Sequence, residues 1–294
     1  IFDEIEFNIQ LEQVSDETYL KAYKIESPII NNTSNLTNSV NINFVNENAS
    51  LNTNLDIYED LSKEDSDKYE YVPNFSLSKI INENNALYSK GYYKNYDTNI
   101  TEKVLINNFE FESNPRYLDN GIVNNNKILV KNINSNATNS KNFKNKSSFN
   151  LTPSFQSNYS LPLIKETIKS NNTLTPRVSL RLSTPYTKDV RKTDRKISYD
   201  NIYDLNRLGI DEANEGGISL TYGYEYSIVE KSSSEENLKF GFANNLRLEE
   251  NKDLPLNSNL GDKVSDFVGM FEYKPNKNLK FDYDFSYKNN LNDL

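Results

Sequence analysis

The stretch LKFDYDFSY, Leu279 to Tyr287, decides the fold. Leu279, Phe281, Tyr283, Phe285 and Tyr287 alternate without a break with Lys280, Asp282, Asp284 and Ser286. A period of two places each set on its own face of a β-strand, and no helix with a single apolar stripe fits it. ISLTYGYEYSI, residues 218–228, repeats the pattern, with Ile218, Leu220, Tyr222, Tyr224, Tyr226 and Ile228 on one face and Ser219, Thr221, Gly223, Glu225 and Ser227 on the other. A third run carries Phe149, Leu151, Pro153, Phe155, Tyr159, Leu161 and Leu163 on one parity. A fourth sets Leu174, Val178, Leu180 and Leu182 against Thr175, Arg177, Ser179 and Arg181, and a fifth runs from Leu238 through Phe240, Phe242 and Leu246 to Leu248, interrupted by Asn244. Weaker alternation is present at 1–11, 40–57, 75–93, 104–112 and 127–133.

These runs are about ten residues long and carry Lys, Asp, Glu and Arg on their second face, the length and dyad pattern of strands that cross a membrane. Their centres recur on the order of every twenty residues, so roughly a dozen strands are expected. The fold class that follows is all-β: an antiparallel transmembrane outer-membrane β-barrel, read as an incomplete part of a large barrel, with residues 1–294 forming one barrel segment. Pro275, Asn276, Lys277 and Asn278 give a short turn, expected on the periplasmic side. The polar, aromatic-poor stretches Asn132–Lys146, Lys188–Lys196 and Lys231–Asn237 are expected outside the cell. The sequence starts at Ile1 inside a strand-like pattern and ends at Leu294 without an aromatic strand, so a targeting signal is expected upstream and the barrel seam beyond.

Composition agrees. Only 36% of the 294 residues are hydrophobic, lean for an ordinary packed core, yet 20 Tyr and 15 Phe speak against a disordered chain. Membrane barrels place aromatics on the lipid face and in girdles at the two interfaces. The net charge of −9 and the lack of a basic stripe argue against a nucleic-acid partner. With no Cys and no His there is no thiolate nucleophile, no His general base and no standard zinc site. No stretch approaches the roughly 20 consecutive apolar residues of a membrane-spanning helix. A catalytic constellation, a cofactor site and a metal site are all expected to be absent.

Several polar groups carry two readings. In IYDLNRLGIDEANEGG, residues 202–217, Gly216 and Gly217 read as turn residues, while Asn206, Arg207, Asp211 and Glu215 form a polar cluster able to pair in a loop or lumen. A calcium site built from Asp211, Glu212 and Glu215 is the sharper alternative, although the spacing is not that of an EF-hand. The acidic run Glu59, Asp60, Glu64, Asp65, Asp67 and Glu70 reads as a solvated loop or a cation site. Asp282 and Asp284 alternate with aromatics on one strand, which suits a watery interior better than a glycosidase pair. Arg177, Arg181 and Arg247 lie on polar faces, where lumen carboxylates or substrate phosphates are their two candidate partners.

Six segments taken in order resemble the LptD/OstA family of lipopolysaccharide-assembly proteins. They are KYEYVPNFSLSK (68–79, with Pro73), SLPL (160–163, with Pro162), LTPRVSLR (174–181, with Pro176), YDLNRLGIDEANEGG (203–217, with Asn206, Arg207, Asp211, Glu215, Gly216 and Gly217), DLPLNS (253–258, with Pro255) and KVSDFVG (263–269, with Ser265, Asp266 and Gly269). The resemblance covers the sequence from about residue 66 onward. It implies an integral outer-membrane transporter without catalytic residues, which inserts lipopolysaccharide into the outer leaflet. It further implies three partners: lipopolysaccharide, an LptE-like lipoprotein plugging the lumen, and a periplasmic bridge protein that docks on an N-terminal domain. Family members also use disulfides in maturation, a step this Cys-free sequence puts in doubt. Periodicity alone leaves a general porin, a nutrient-receptor barrel or a secreted β-rich adhesin as alternatives.

Overall fold

In the computed structural model the described residues are 3–26, 34–63, 68–96, 99–232, 235–276 and 278–288. They form one antiparallel sheet. Its strands are β1 (Glu4–Gln10), β2 (Asn35–Asn46), β3 (Ala49–Asp60), β4 (Tyr69–Asn82), β5 (Asn85–Tyr96), β6 (Ile100–Glu112), β7 (Arg116–Tyr117), β8 (Val123–Thr138), β9 (Ser148–Ser160), β10 (Leu163–Glu166), β11 (Ser170–Ser183), β12 (Ile218–Glu230), β13 (Glu236–Arg247), β14 (Phe267–Asn276) and β15 (Leu279–Tyr287). Each strand pairs with the next in sequence, except that the short β7 and β10 lie off the path, against β8 and β11. A meander of this kind needs only local connections. One short helix, α1 (Tyr19–Tyr23), interrupts the link from β1 to β2.

The chain divides into two compact units. In the first, residues 1–110 and 131–151, register aligns apolar side chains in rows across neighbouring strands. Ile5 lies opposite Phe44, Phe44 opposite Leu51, and Leu51 opposite Leu77. The window 40–57, expected as one run, holds the β2–β3 hairpin, and 75–93 holds β4 and β5. Both turns start from an asparagine whose side-chain oxygen accepts two backbone N–H groups. Asn46 accepts from Asn48 and Ala49, and Asn82 from Asn84 and Asn85. Leu20 of α1 is buried with Leu36 and Leu61, and Val104 and Ile106 of β6 are buried with Ile133 of β8.

In the second unit, residues 111–130 and 152–294, rows again run across strands: Leu174, Tyr226, Phe240, Phe271 and Tyr283 are successive partners. The parity is inverted relative to a water-soluble sheet. The apolar face is open, with Tyr283 65% and Leu182 37% exposed, while Ser179, Arg181, Ser219 and Thr221 on the polar face are at most 3% exposed.

Three expectations about connections need correction. Asn132–Lys146 is not wholly a loop, because β8 continues to Thr138. The run Phe149–Leu163 is not a single strand: β9 ends at Ser160, and β10 starts at Leu163 beyond Pro162, which has no N–H for a ladder. Lys231–Asn237 links β12 to β13, and antiparallel order puts it at the same end of the strands as the turn after Asn276. The two therefore cannot lie on opposite sides of a membrane. Residues 233–234 and 277 themselves fall outside the described residues, as do Glu64, Asp65 and Asp67 of the acidic run.

Candidate functional site

At one end of the second unit the sheet emits two long connections, 184–217 between β11 and β12 and 248–266 between β13 and β14. Both fold back over the polar face. Their apolar residues bury one another there. Val190, Ile197, Tyr199, Ile202, Leu208 and Ala213 of the first connection pack with Leu254 and Leu260 of the second and with Ala243, Val268 and Met270 of the strands. The connections are also tied together by hydrogen bonds. Val190 N donates to Asp253 O at 2.8 Å, Ile197 N to Ser258 Oγ at 3.1 Å, and Asn251 Nδ2 to Thr187 Oγ1 at 2.8 Å. Lys188–Lys196, read from sequence as a polar stretch outside the cell, is part of a packed segment: Val190 is buried in this core.

Close approach to the sheet depends on missing side chains. A Cβ at Gly241 would overlap the Tyr199 ring, and one at Gly223 would overlap the Tyr203 hydroxyl and the Phe242 carbonyl. The two tyrosines meet edge to face with ring centroids 6.2 Å apart. Burial pushes both phenols well above the ordinary tyrosine range.

Beneath this apolar layer lies a buried charge cluster. Arg207 grips Glu215 with both forks, Nε to Oε2 at 2.7 Å and Nη2 to Oε1 at 2.5 Å. Its remaining donors reach Asn245 Oδ1 (2.9 Å), Thr221 Oγ1 (3.2 Å) and Ser219 Oγ (3.1 Å), all polar-face residues of β12 and β13. Arg247 Nη1 donates to Glu215 Oε1 at 2.5 Å and its Nη2 to the Gly216 carbonyl. Arg181 Nη1 stands 4.0 Å from Glu215, while its Nε and Nη2 donate to Leu205 O and Asn214 Oδ1. Burial alone would raise the Glu215 carboxyl. The charges of Arg207 and Arg181, the hydrogen bonds from Arg207 and the charge of Arg247 outweigh it and hold the group well below the ordinary carboxylate range. One carboxylate thereby fastens the 184–217 segment to β11 and β13 at once.

The turn that delivers Glu215 needs glycine twice. A Cβ at Gly216 would collide with the carbonyls of Thr184 and Pro185, and Gly217 has a φ of +95° with Arg247 Nη2 beside it. Arg207, Glu215, Gly216 and Gly217 are therefore one constellation. Ser265 and Asp266 flank it: Ser265 Oγ accepts from Asn245 N at 3.1 Å, and the Asp266 carboxylate accepts from Asn259 Nδ2 at 2.7 Å. Pro255 is fully buried in the second connection, and Asn206 caps a turn through its carbonyl to Gly209 N. Asp211 is exposed, whereas Arg207 and Glu215 are buried. The calcium reading is overturned, because Glu215 is enclosed by arginines and Glu212 pairs with Lys188 at 2.9 Å. Pro73 sits in β4, Pro162 between β9 and β10, and Pro176 and Gly269 on the open apolar face, in one row with Tyr224 and Phe242. None of these four touches the cluster.

Beside the packed connections is a recess of about 500 Å³ lined by Arg177, Tyr199, Tyr203, Asp204, Glu225 and Lys239. Arg177 lies 3.5 Å from Glu225 and 5.7 Å above the Tyr203 ring, and Lys239 is 3.8 Å from Glu225. All three arginines with two candidate partners thus have carboxylates beside them. Sequence reading did not single out Ser219, Thr221, Asn245 or Asn251. The first three had a signal in the polar parity of β12 and β13, which marks a face but not what covers it; Asn251, in the second connection, had none.

Among known protein families, the model described as LPS transport system D, LptD, matches residues 122–294. No curated protein matches the chain.

Proposed function

Because the chain belongs to the LPS transport system D family, whose members are outer-membrane β-barrels of lipopolysaccharide transport, we propose that it forms a stretch of barrel wall through which lipopolysaccharide is delivered to the outer leaflet. The observation that carries this reading is the inverted parity of the second unit: aromatic rows open, polar residues enclosed. A sheet of this kind satisfies its backbone through its own ladders, turns its aromatics to lipid and keeps its charges on the inner side.

Barrels of this type carry short periplasmic turns and longer external connections. On that pattern 184–217 and 248–266 enter from the cell surface and cover the inner face of the second unit, while the turns after Glu230 and Asn276 face the periplasm. An interior packed in this way favours a gated transporter over an open porin. The family-motif residues Asn206, Arg207, Glu215, Gly216, Gly217, Pro255, Ser265 and Asp266 then serve as the frame of that interior, with no chemical step assigned to them. Lipopolysaccharide, an LptE-like plug lipoprotein and a periplasmic bridge protein are the partners this role requires, and the outer membrane is its place.

The test is surface lipopolysaccharide on intact cells, labelled before and after depletion of the protein, with total lipopolysaccharide measured in parallel. Surface signal should fall while the total holds or rises. An unchanged surface signal would overturn the transport role and restore the porin or receptor alternative.

A further inference from the structure

The first unit has a groove on its open face. Short residues on β8, Asn134 and Asn136, form its floor; Tyr93, Lys103 and Leu105 form one wall, and Phe149 the other. The volume is about 780 Å³. Alternation fixes the face: Glu102, Val104 and Ile106 are buried on the opposite side of β6, while Leu105 is exposed. It is the same face as the apolar row containing Phe7, Ile42 and Phe75, since Phe75 pairs with Gly91, two residues before Tyr93 on β5.

The chemistry of the groove is divided. Leu105, Phe149 and the Tyr93 ring supply apolar surface. Lys103 supplies a cation, its Nζ 5.5 Å from the centre of the Tyr93 ring. No carboxylate of the described residues lies within ion-pair distance of Lys103. Asn136 Nδ2 donates to Ser147 Oγ at 2.8 Å, closing the floor at its polar end. The position along the strands is equally telling. Lys103 is near the start of β6, Asn134 and Asn136 are near the end of β8, and Phe149 opens β9, so the groove lies within a few residues of one end of the strands. That is where aromatic residues and a lysine sit at the headgroup level of a bilayer.

We propose that this groove binds a phosphorylated amphiphile of the surrounding leaflet, its phosphate on Lys103, its polar headgroup over Asn134 and Asn136, and its acyl chain against Leu105 and Phe149. The proposal rests on the membrane orientation given above. It adds a lipid site on the open face of the first unit.

The test uses the full chain purified and reconstituted in nanodiscs, with tightly bound lipid counted by native mass spectrometry. Discs contain phosphatidylcholine with a minor share of phosphatidylglycerol. Wild type should retain phosphatidylglycerol in preference to phosphatidylcholine, and Lys103→Gln should reduce that preference about fivefold, the effect of one cation near a membrane surface. Phe149→Ala should lower retention of both lipids. Equal preference in wild type and Lys103→Gln overturns the proposal. So does displacement of the lipid by millimolar inorganic phosphate, which would make the groove a site for free anions. Heat-modifiable migration of each variant reports barrel assembly, so failure of the membrane reading itself would appear there, independently of lipid retention.

Discussion

At the scale of single residues, Glu215 is the group on which most depends. Replacing it by Gln leaves Arg181, Arg207 and Arg247 buried without their shared counter-charge, and Glu215→Gln should cost about 3–5 kcal/mol of stability in detergent unfolding. The same carboxyl predicts an acid limb. Its folded pKa lies below its unfolded value near 4.5. The stability it contributes is therefore complete above that value and is withdrawn as pH falls below it toward the folded pKa. Titrating wild type and Glu215→Gln from pH 6 downward should show the gap between them narrowing below about pH 4.5. Gly216→Ala, which forces a Cβ onto two carbonyls, should cost roughly 1–3 kcal/mol by the same assay. The sequence made Arg207, Glu215 and the glycines visible as a cluster. It did not show that Arg181 and Arg247, on other strands, complete it, because contacts between distant segments leave no local pattern.

At the scale of elements, alternation was legible wherever one face was strongly apolar, and β15 and β12 fall where their periodicity places them. Hairpins were harder. Windows 40–57 and 75–93 read as single runs because their turns are only Glu47–Asn48 and Glu83–Asn84, with neither glycine nor proline to punctuate them. The chemistry is in the preceding asparagine, and Asn276 repeats it by accepting from Asn278 N at 3.0 Å. Asn46→Ala, Asn82→Ala and Asn276→Ala should each destabilise their hairpin by about 0.5–1.5 kcal/mol, measured as lowered protection of the flanking amides in hydrogen exchange. Parity makes a second prediction. Tyr224→Lys, on the open aromatic row, should impair outer-membrane assembly by about 2–4 kcal/mol if it lies near the midplane, whereas Ser227→Lys on the polar face should be tolerated. Equal loss from both, read by heat-modifiable migration, would remove the assignment of faces.

For the whole molecule, periodicity gave an all-β sheet and the family resemblance gave its setting, but neither revealed that two connections occupy the polar face. Polar loops were expected to project outward, and the hydrophobic residues that turn 184–217 inward, Val190, Ile197, Ile202 and Leu208, are spaced without helix or strand period. Replacing 188–214 by a short flexible linker should uncover that face, and the purified variant should conduct ions in planar bilayers where wild type is silent. The interlock also imposes an order in time. Arg207 leaves the ribosome 38 residues ahead of Asn245, one of the groups that receive it, and the partners of Ile197 come later still. Until β13 and the second connection have been synthesised, the apolar side chains of the first lack half of the surface that buries them, so a nascent chain that stops short of β13 carries this stretch open to solvent.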